Sequence, residues 1–298
     1  MRIFDCTTFY NEHFILDVRF NVLNPYVDKF IVCEAGFSHS GQKKIFNFDI
    51  DKFPKFKNKI IYLKIDKEPE DLKYYLENGI KKETKENARF NAIKRIAYQR
   101  NFLNEGIIDA TDDDLILYSD NDEIPNLENI DIEQFSEKYL LFEQKLFYFK
   151  LNLYTNRINW FGTKGCKKKY LKSFEKLRQI KPKKYPFFRL DTFFKFDKQI
   201  SLKLIKNGGW HFTRLQSPEE IHSKELDAEH HDEYRAAGKN VERIRELINN
   251  RKIDHDHLVD TKSSKYNGEF NLDTYSIDQL PLFIKSKEIA SSADIPQF

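Results

Sequence analysis

The first half of the chain alternates short apolar runs with stretches whose apolar residues recur at helical spacing. Four apolar runs predict β-strands over residues 2–6, 29–33, 59–65 and 115–118. Residues 12–23 and 88–103 place apolar side chains three or four positions apart, which predicts amphipathic helices. The opening order of strand, helix and strand is typical of a nucleotide-binding sheet, so the sequence predicts an α/β fold.

The second half has a less regular pattern. It predicts a short polar helix over 127–136, a long strand over 139–151, a loop over 152–159, a strand from Trp160 and a helical region over 217–250. Residues 66–88 are polar and predict a mobile excursion. In the last segment, 261–298, we expect a loop of which only residues 280–284 dock on the core.

Composition limits the partners. The 298 residues include 33% charged residues, yet the formal net charge is only +3. A dedicated nucleic-acid-binding protein would carry a stronger basic excess, so nucleic acid is not expected as a partner. A local lysine excess between Lys164 and Lys184 indicates either a solvated surface or a peripheral contact with anionic lipids or an acidic acceptor.

The cysteines and the lengths of the apolar segments indicate in which cellular compartment the protein is expected. Cys6, Cys33 and Cys166 lack metal-ligand spacing, and no disulfide framework is evident, which fits a reducing compartment. Met1 does not open a signal peptide, and no apolar window has the length of a membrane-spanning helix. We therefore expect a cytoplasmic protein, either free or at the inner face of a membrane.

The most informative stretch is an acidic segment directly after the fourth predicted strand. Asp120, Asp122 and Glu123 follow its apolar residues, and Pro125 is expected to end the strand. Side chains at i and i+2 of an extended chain point the same way, so Asp120 and Asp122 favour a cation between them. Mg²⁺ or Mn²⁺ suits such carboxylates, and ligands of open α/β sheets bind at the carboxyl ends of strands. The alternative is a solvated acidic loop.

Six short blocks of sequence together carry a resemblance to a known family. They are FDC…FYNE (4–12), VCEA…HSG (32–41), QRN (99–101), SDNDEIP (119–125), WFGT (160–163) and GGWHF (208–212). In this order they resemble glycosyltransferase family 17, whose best-known members add a bisecting N-acetylglucosamine to a mannose. The resemblance implies a GT-A fold, a UDP-sugar donor such as UDP-N-acetylglucosamine, a mannose-like acceptor, and inversion at the anomeric carbon. We expect a glycan or a lipid-linked sugar as the acceptor.

The resemblance also implies roles for particular residues. Asp120 and Asp122 would hold Mn²⁺ or Mg²⁺ and the nucleotide sugar. His211 would complete the metal site, because the two glycines before it allow a close backbone approach. Arg100, on the helix before the acidic segment, would neutralise the diphosphate. The alternatives are a surface salt bridge for Arg100 and a hydrogen bond in the core for His211.

Further candidates come from strand ends and aromatic positions. Glu34, at the end of the second predicted strand, either accepts hydrogen bonds from a ribose or base, or is a polar residue in a surface turn. Trp160 and Trp210 would stack on an acceptor sugar unless they are core residues. Glu220 is the candidate base for the acceptor hydroxyl, with Asp191 as the alternative, although helix capping also explains Glu220.

We expect a catalytic domain over residues 1–214, with a donor half to about 125 and an acceptor half from 126, and a helical extension over 215–298 packed on it. Two rival functions stay open. A nucleotidyltransferase shares the sheet and the carboxylate-bound metal, but would carry a glycine-rich phosphate loop, and residues 6–12 contain no glycine. A non-catalytic glycan-binding module would keep the aromatic residues but would not need the acidic segment.

Overall fold

The computed structural model describes residues 1–128, 130, 135–182, 188, 201–228, 230–256 and 268–285. Its strands are β1 (Ile3–Phe9), β2 (Lys29–Ala35), β3 (Ile60–Ile65), β4 (Tyr75–Glu77), β5 (Ile80–Lys82), β6 (Leu115–Ser119), β7 (Glu123–Pro125), β8 (Tyr139–Tyr148), β9 (Leu153–Lys167), β10 (Leu202–Ile205), β11 (Gly209–Thr213), β12 (Lys252–Ile253), β13 (Phe270–Asn271) and β14 (Asp273–Thr274). Its helices are α1 (His13–Leu23), α2 (Lys85–Phe102), α3 (Phe174–Arg178), α4 (Pro218–Asp227), α5 (His231–Ala236), α6 (Val241–Asn249) and α7 (Leu282–Lys285).

One mixed sheet organises the described part of the chain. Its strands lie in the order β3-β2-β1-β6-β9-β8-β11-β7, while β10 pairs with β8 and β14 pairs with β9. Strands β3, β2, β1 and β6 are parallel, so their carboxyl ends meet at one edge. The pairings of β9 with β6 and with β8 are antiparallel. The predicted α/β class is confirmed, and the ends of β1, β2 and β6 lie side by side.

A buried ion pair ties the first helix to the sheet. All five residues of β6 are buried, as its continuous apolar run predicts. Arg19 of α1 is fully buried, and its guanidinium group donates hydrogen bonds to Asp5 of β1 and to the carbonyl oxygen of Glu123 in β7. A buried charge is tolerated only when it is paired, so this contact fixes β7 against β1 through α1.

Some element boundaries differ from the prediction. The strand β9 begins at Leu153, where a loop was expected, because its first residues pair with β8 and with the late strand β14. Pro125 does not end the sheet but lies in the short edge strand β7, which pairs with β11. Residues 66–88 contain the hairpin β4–β5 and the start of α2. The predicted helix over 127–136 lies partly outside the described residues.

The C-terminal region is helical, as predicted, and contributes to the core. The predicted capping box is present at the start of α4, where Ser217 and Glu220 bond each other's backbone N–H groups. Leu280 and Ile284 are buried in the cluster that also contains α1, so the predicted docking of residues 280–284 is confirmed. None of the helices in the described ranges combines the length and apolar composition needed to cross a bilayer.

The three cysteines are buried free thiols, as small core residues would be. Cys6, Cys33 and Cys166 all belong to one apolar cluster. Burial raises the pKa of Cys166 to about 12, so its thiol is protonated and unreactive at neutral pH.

Candidate functional site

A cavity of about 360 Å³ opens where the carboxyl ends of β1, β2 and β6 meet. Most of its lining residues carry polar groups: Thr8, Tyr10, Glu12, His39, Lys44, Gln99, Arg100, Asp120, Asn121, Asp122, Tyr148, Trp160, Arg178, His211, Thr213, Arg214, Lys224, Glu225, Asp227, His230 and His255. Ligands of open α/β sheets bind at this edge, so the cavity is the candidate functional site.

Asp120 is held by two arginines. Its Oδ2 accepts hydrogen bonds from Nε and Nη2 of Arg178, at 3.0 and 2.8 Å, and its Oδ1 accepts one from the Tyr118 hydroxyl at 2.9 Å. Arg100 Nη2 lies 3.5 Å from the same Oδ1, while its Nη1 donates to Glu175. Burial would raise the pKa of Asp120, but the charges of Arg178 and Arg100 outweigh burial and hold that pKa far below its ordinary value. Both oxygens of Asp120 are therefore already paired within the chain.

Asp122 pairs with a histidine instead. Nε2 of His211, on β11, lies 3.3 Å from Oδ1 of Asp122. The strand reaches this position because Gly209 has φ +132°, and a Cβ there would stand 2.1 Å from the carbonyl oxygen of Ile124. Burial lowers the pKa of His211, but Asp122 outweighs burial and raises it above the ordinary value. Nδ1 of His211 is buried and has no hydrogen-bond partner among the described residues.

A further ion pair joins distant parts of the chain across the cavity. Glu12 follows β1, and its Oε1 lies 2.5 Å from Nζ of Lys224 on α4. Its Oε2 accepts hydrogen bonds from the backbone N–H groups of Tyr10 and Asn11. Burial would raise the pKa of Glu12, but Lys224 outweighs burial and lowers that pKa, so the carboxylate is ionised at neutral pH. Asp122 lies close enough to influence the pKa of both partners.

Trp160 forms a wall of the cavity beside His211, with ring centroids 4.6 Å apart. Its Nε1 donates a 2.7 Å hydrogen bond to Oε1 of Glu123, and Oε2 of Glu123 accepts one from the backbone N–H of Asp120. Gly162 permits this packing, because a Cβ there would lie 2.9 Å from the carboxyl carbon of Glu123. Glu123 thus anchors both the indole ring and the acidic segment.

The family model for glycosyltransferase family 17 matches residues 1–179, more than half of the chain. The chain belongs to glycosyltransferase family 17. No curated protein matches it. The matched part of this family 17 chain includes β1, β2, β6 and both aspartates of the acidic segment, whereas β11 and α4 lie beyond the match.

The structure brings most of the predicted site residues of this family 17 chain together. Arg100, Asp120, Asp122, His211 and Trp160 all line the cavity. They come from α2, the end of β6, β11 and β9, which are distant in sequence and meet only through the order of strands in the sheet.

Two other predicted residues have different surroundings. Glu34 is fully buried, and its carboxylate accepts hydrogen bonds from Lys44, the Tyr62 hydroxyl and two backbone N–H groups. It does not line the cavity, so its contact with a ribose stays a prediction that this placement does not favour. Trp210 precedes His211 in β11, and its side chain therefore points to the opposite face of the sheet, into the main apolar cluster. The structure thus gives Trp210 a core position in place of the expected acceptor platform.

The predicted base is not part of this cavity. Oε2 of Glu220 accepts hydrogen bonds from the backbone N–H and the hydroxyl of Ser217, so the side chain caps α4. It is exposed and lines a smaller neighbouring cavity. Its catalytic role stays a prediction, and the alternative Asp191 lies outside the described residues.

Sequence reasoning missed the roles of Arg178, Glu12 and Lys224. Arg178 stands alone as an arginine within the lysine-rich stretch, which is the signal that distinguishes it. Glu12 lies in a block that carries the family resemblance, but it was assigned no role there. Lys224 has no local signal, because a lysine in a charged helix is normally a surface residue.

Lys164 was counted in the predicted basic surface but is buried, with 1% exposure. Its Nζ donates hydrogen bonds to the carbonyl oxygens of Phe161 and Gly162, at 2.9 and 2.6 Å. Burial and the nearby charge of Arg178 lower its pKa to about 7. Lys164 therefore does not belong to a lipid-binding surface, and the last lysine of that stretch, Lys184, lies outside the described residues.

Proposed function

We propose that this chain transfers a sugar, expected to be N-acetylglucosamine, from a UDP-sugar to a hydroxyl group of a sugar acceptor, with inversion of the anomeric carbon. Membership of family 17 supports the reaction class. The observation that carries the proposal is the gathering of Arg100, Asp120, Asp122, Arg178 and His211 around one cavity at the strand ends. Such a site offers guanidinium groups to a diphosphate and a carboxylate to a cation. The mixed sheet is compatible with the GT-A fold, which we include in the proposal.

Asp122 and His211 suit Mn²⁺ or Mg²⁺ as neighbouring ligands. Oδ1 of Asp122 and Nε2 of His211 lie 3.3 Å apart, so both side chains would hold the same ion. Within the described ranges, no three His, Cys, Asp or Glu side chains converge on a metal position, so phosphate oxygens and water would complete the shell. A bound ion would stabilise the charge of the leaving diphosphate as a Lewis acid. Asp120 fits the ligand role less well, because both its oxygens are already paired.

Arg178 and Arg100 are the proposed diphosphate-binding residues. Planar guanidinium groups bind phosphate through paired hydrogen bonds, and both arginines line the cavity. Each is paired with Asp120, which keeps the positive charges in place before a ligand enters. Asp120 then acts as a positioning residue that orients the two arginines.

Glu12 is our candidate for the base. It is ionised, lies in the cavity lining and is close to Asp122. In the transfer step, the Glu12 carboxylate takes the proton of the acceptor hydroxyl, and the acceptor oxygen forms a bond to the anomeric carbon. The bond from that carbon to the diphosphate breaks, and the electron pair leaves with the diphosphate. Attack from the face opposite the leaving group inverts the anomeric carbon.

The proposed acceptor is a glycan or a lipid-linked sugar, and the proposed location is the cytoplasm or the inner face of a membrane. Lys172, Lys176 and Lys181 are exposed, which supports a peripheral contact with anionic headgroups. Sedimentation with phosphatidylglycerol vesicles at low and high salt tests that contact, since a headgroup contact weakens as salt rises.

A panel of nucleotide sugars, each with and without Mn²⁺, tests the proposed function by thermal shift and by hydrolysis. A UDP-sugar is expected to raise Tm in the presence of Mn²⁺, because a ligand that binds the folded state stabilises it by mass action. Metal-dependent hydrolysis of the same compound separates an enzyme from a glycan-binding module. Absence of both effects for every UDP-sugar would contradict the proposal.

A further inference from the structure

A second cavity lies next to the first and shares its most charged wall. Its volume is about 180 Å³, half that of the first. Glu12, Asp122, Arg214 and Lys224 line both cavities, so the two cavities adjoin at these side chains. A ligand in the second cavity would therefore meet the same carboxylates as a ligand in the first.

The far side of the second cavity combines amide, imidazole and apolar groups. Gln216 and Asn11 are joined by a 3.0 Å hydrogen bond between their side chains, and Phe14 supplies apolar surface. His13 adds a buried Nδ1 that has no hydrogen-bond partner among the described residues. Burial and the charge of Lys52 lower the pKa of His13, so its ring is neutral at pH 7.

This lining matches one kind of ligand. The lining contains charged groups of both signs, amide groups and apolar side chains, with three carboxylates against two cations. Such a mixture suits a neutral molecule that combines many hydroxyl groups with apolar surface. A single sugar ring has this character, because its hydroxyl groups form hydrogen bonds and its C–H faces pack on apolar surface. A nucleoside diphosphate does not, and its charge is better matched by the arginines of the first cavity.

We propose that the second cavity is the subsite for the acceptor sugar. The proposal rests on the function proposed above, in which the donor occupies the first cavity. The acceptor hydroxyl then meets the anomeric carbon of the donor where the two cavities adjoin. Glu12 lines both cavities at this place and flanks the acceptor hydroxyl, where a base must be to take the proton as the new bond forms.

The placement of this subsite has a consequence for specificity. Half of the twelve residues that line it lie beyond the family match: Phe212, Arg214, Leu215, Gln216, Glu220 and Lys224. The acceptor preference of this chain is therefore encoded in equal parts within and beyond the match, whereas the proposed diphosphate-binding arginines both lie within it.

Saturation-transfer NMR on the full chain with UDP and Mg²⁺, which is diamagnetic, tests the subsite, with the methyl glycosides of mannose, glucose, galactose and N-acetylglucosamine as probes. At least one glycoside is expected to receive saturation while UDP is bound. Gln216→Ala and His13→Ala should each lower the affinity for that glycoside about five- to tenfold, because each variant loses one neutral hydrogen bond. UDP affinity should stay within about twofold, because neither residue lines the first cavity. Gln42→Ala, an exposed glutamine outside both cavities, is the matched control and should change nothing.

The outcomes separate this inference from the proposed function. Three results would each overturn the proposed subsite. They are that no glycoside binds the wild type, that UDP displaces the glycoside, or that both variants bind the glycoside as well as the wild type does. Thermal unfolding and UDP titration show whether each variant is folded, so a lost signal is interpretable. A wild type that binds a glycoside in the second cavity but neither binds UDP nor hydrolyses a UDP-sugar would support the sugar site and contradict the glycosyl transfer.

Discussion

Two strands on either side of β1 in the sheet end in acidic residues, yet the structure uses those residues differently. β2 ends with Glu34 near its terminus, and β6 is followed by Asp120 and Asp122. Both strands are buried and apolar, so the sequence patterns before the carboxylates are alike. Glu34 is enclosed by its own chain, whereas Asp120 and Asp122 face a cavity.

The difference lies in which groups surround each carboxylate. Two of the donors to Glu34 are the backbone N–H groups of Asn47 and Phe48, because the segment after β2 returns over the strand end. Backbone donors are fixed by the fold and cannot be exchanged for a ligand. The donors to Asp120 are the side chains of Arg178 and Tyr118, and side chains can turn towards a phosphate. We therefore expect an acidic strand end to bind a ligand only where its charge is paired with side chains that can move.

The largest expected effect concerns the carboxylate between the two cavities. Glu12→Gln should lower kcat for sugar transfer by about 10²- to 10⁴-fold, because a general base is lost, while UDP affinity is retained. Glu220→Gln is the matched change, since glutamine also completes a capping box. It should keep kcat, and because Glu220 lines the second cavity any effect should fall on the KM for the acceptor. Initial rates of UDP release with an acceptor measure both variants. A larger loss of kcat in Glu220→Gln than in Glu12→Gln would indicate that Glu220, the residue expected from the sequence, is the base.

A substitution of Glu34 tests the strand end whose carboxylate is enclosed by its own chain. Glu34→Gln should lower the free energy of unfolding by about 3 kcal/mol, because it removes one charge from a buried ion pair with Lys44. UDP affinity should not change. Urea unfolding and calorimetric titration with UDP measure the two quantities. Weaker UDP binding in a variant that is fully folded would show that Glu34 contacts the nucleotide after all.

A substitution of Arg178 tests the other strand end, where Asp120 and Asp122 face the cavity. Arg178→Ala should weaken UDP by about 10- to 100-fold, the value of a charge-assisted contact to a charged group. Arg100→Ala should also weaken UDP, but less, because Arg100 lies farther from Asp120 and is shared with Glu175. Arg157→Ala, an arginine outside the cavity, serves as the control in calorimetric titration. Equal UDP affinity in the Arg178 variant and the control would show that the arginines do not bind the diphosphate.

The smallest expected effect is a pH dependence of the free energy of unfolding that comes from the buried residue Lys164. The pKa of Lys164 is about 7 in the folded chain, below its value in the unfolded chain. Between pH 7 and 9 the unfolded state therefore binds more protons, and the free energy of unfolding should rise by about 1.4 kcal/mol per pH unit relative to Lys164→Met. Below pH 7 the two curves should run parallel. Lys167→Met, a lysine on the same strand with 26% exposure, should show the wild-type slope. Parallel curves for wild type and Lys164→Met above pH 7 would contradict this account.

Much of the fold follows from local patterns, and the site follows in part. The strand-helix-strand opening and the strand before Asp120 were predictable because buried parallel strands are continuous apolar runs. The first residues of β9 were not, because they pair with β8 on one side and with β14, more than a hundred residues later, on the other. Likewise, Arg178 and Lys224 acquire their roles only through the sheet order, which brings α3 and α4 to the end of β6. Trp210 and His211 show the limit clearly, since adjacent residues of a strand face opposite sides and the sequence alone does not say which side is open.

Titration of Mn²⁺ in the presence of UDP tests the central claim most directly, namely that the end of β6 and β11 form the metal and nucleotide site. Asp122→Asn and His211→Ala should each weaken Mn²⁺ by at least about tenfold, and Asp122→Asn should abolish metal-dependent turnover with the fold intact. Glu34→Gln, the enclosed acidic residue, should keep the wild-type Mn²⁺ affinity. Wild-type Mn²⁺ affinity and normal turnover in Asp122→Asn would contradict the account.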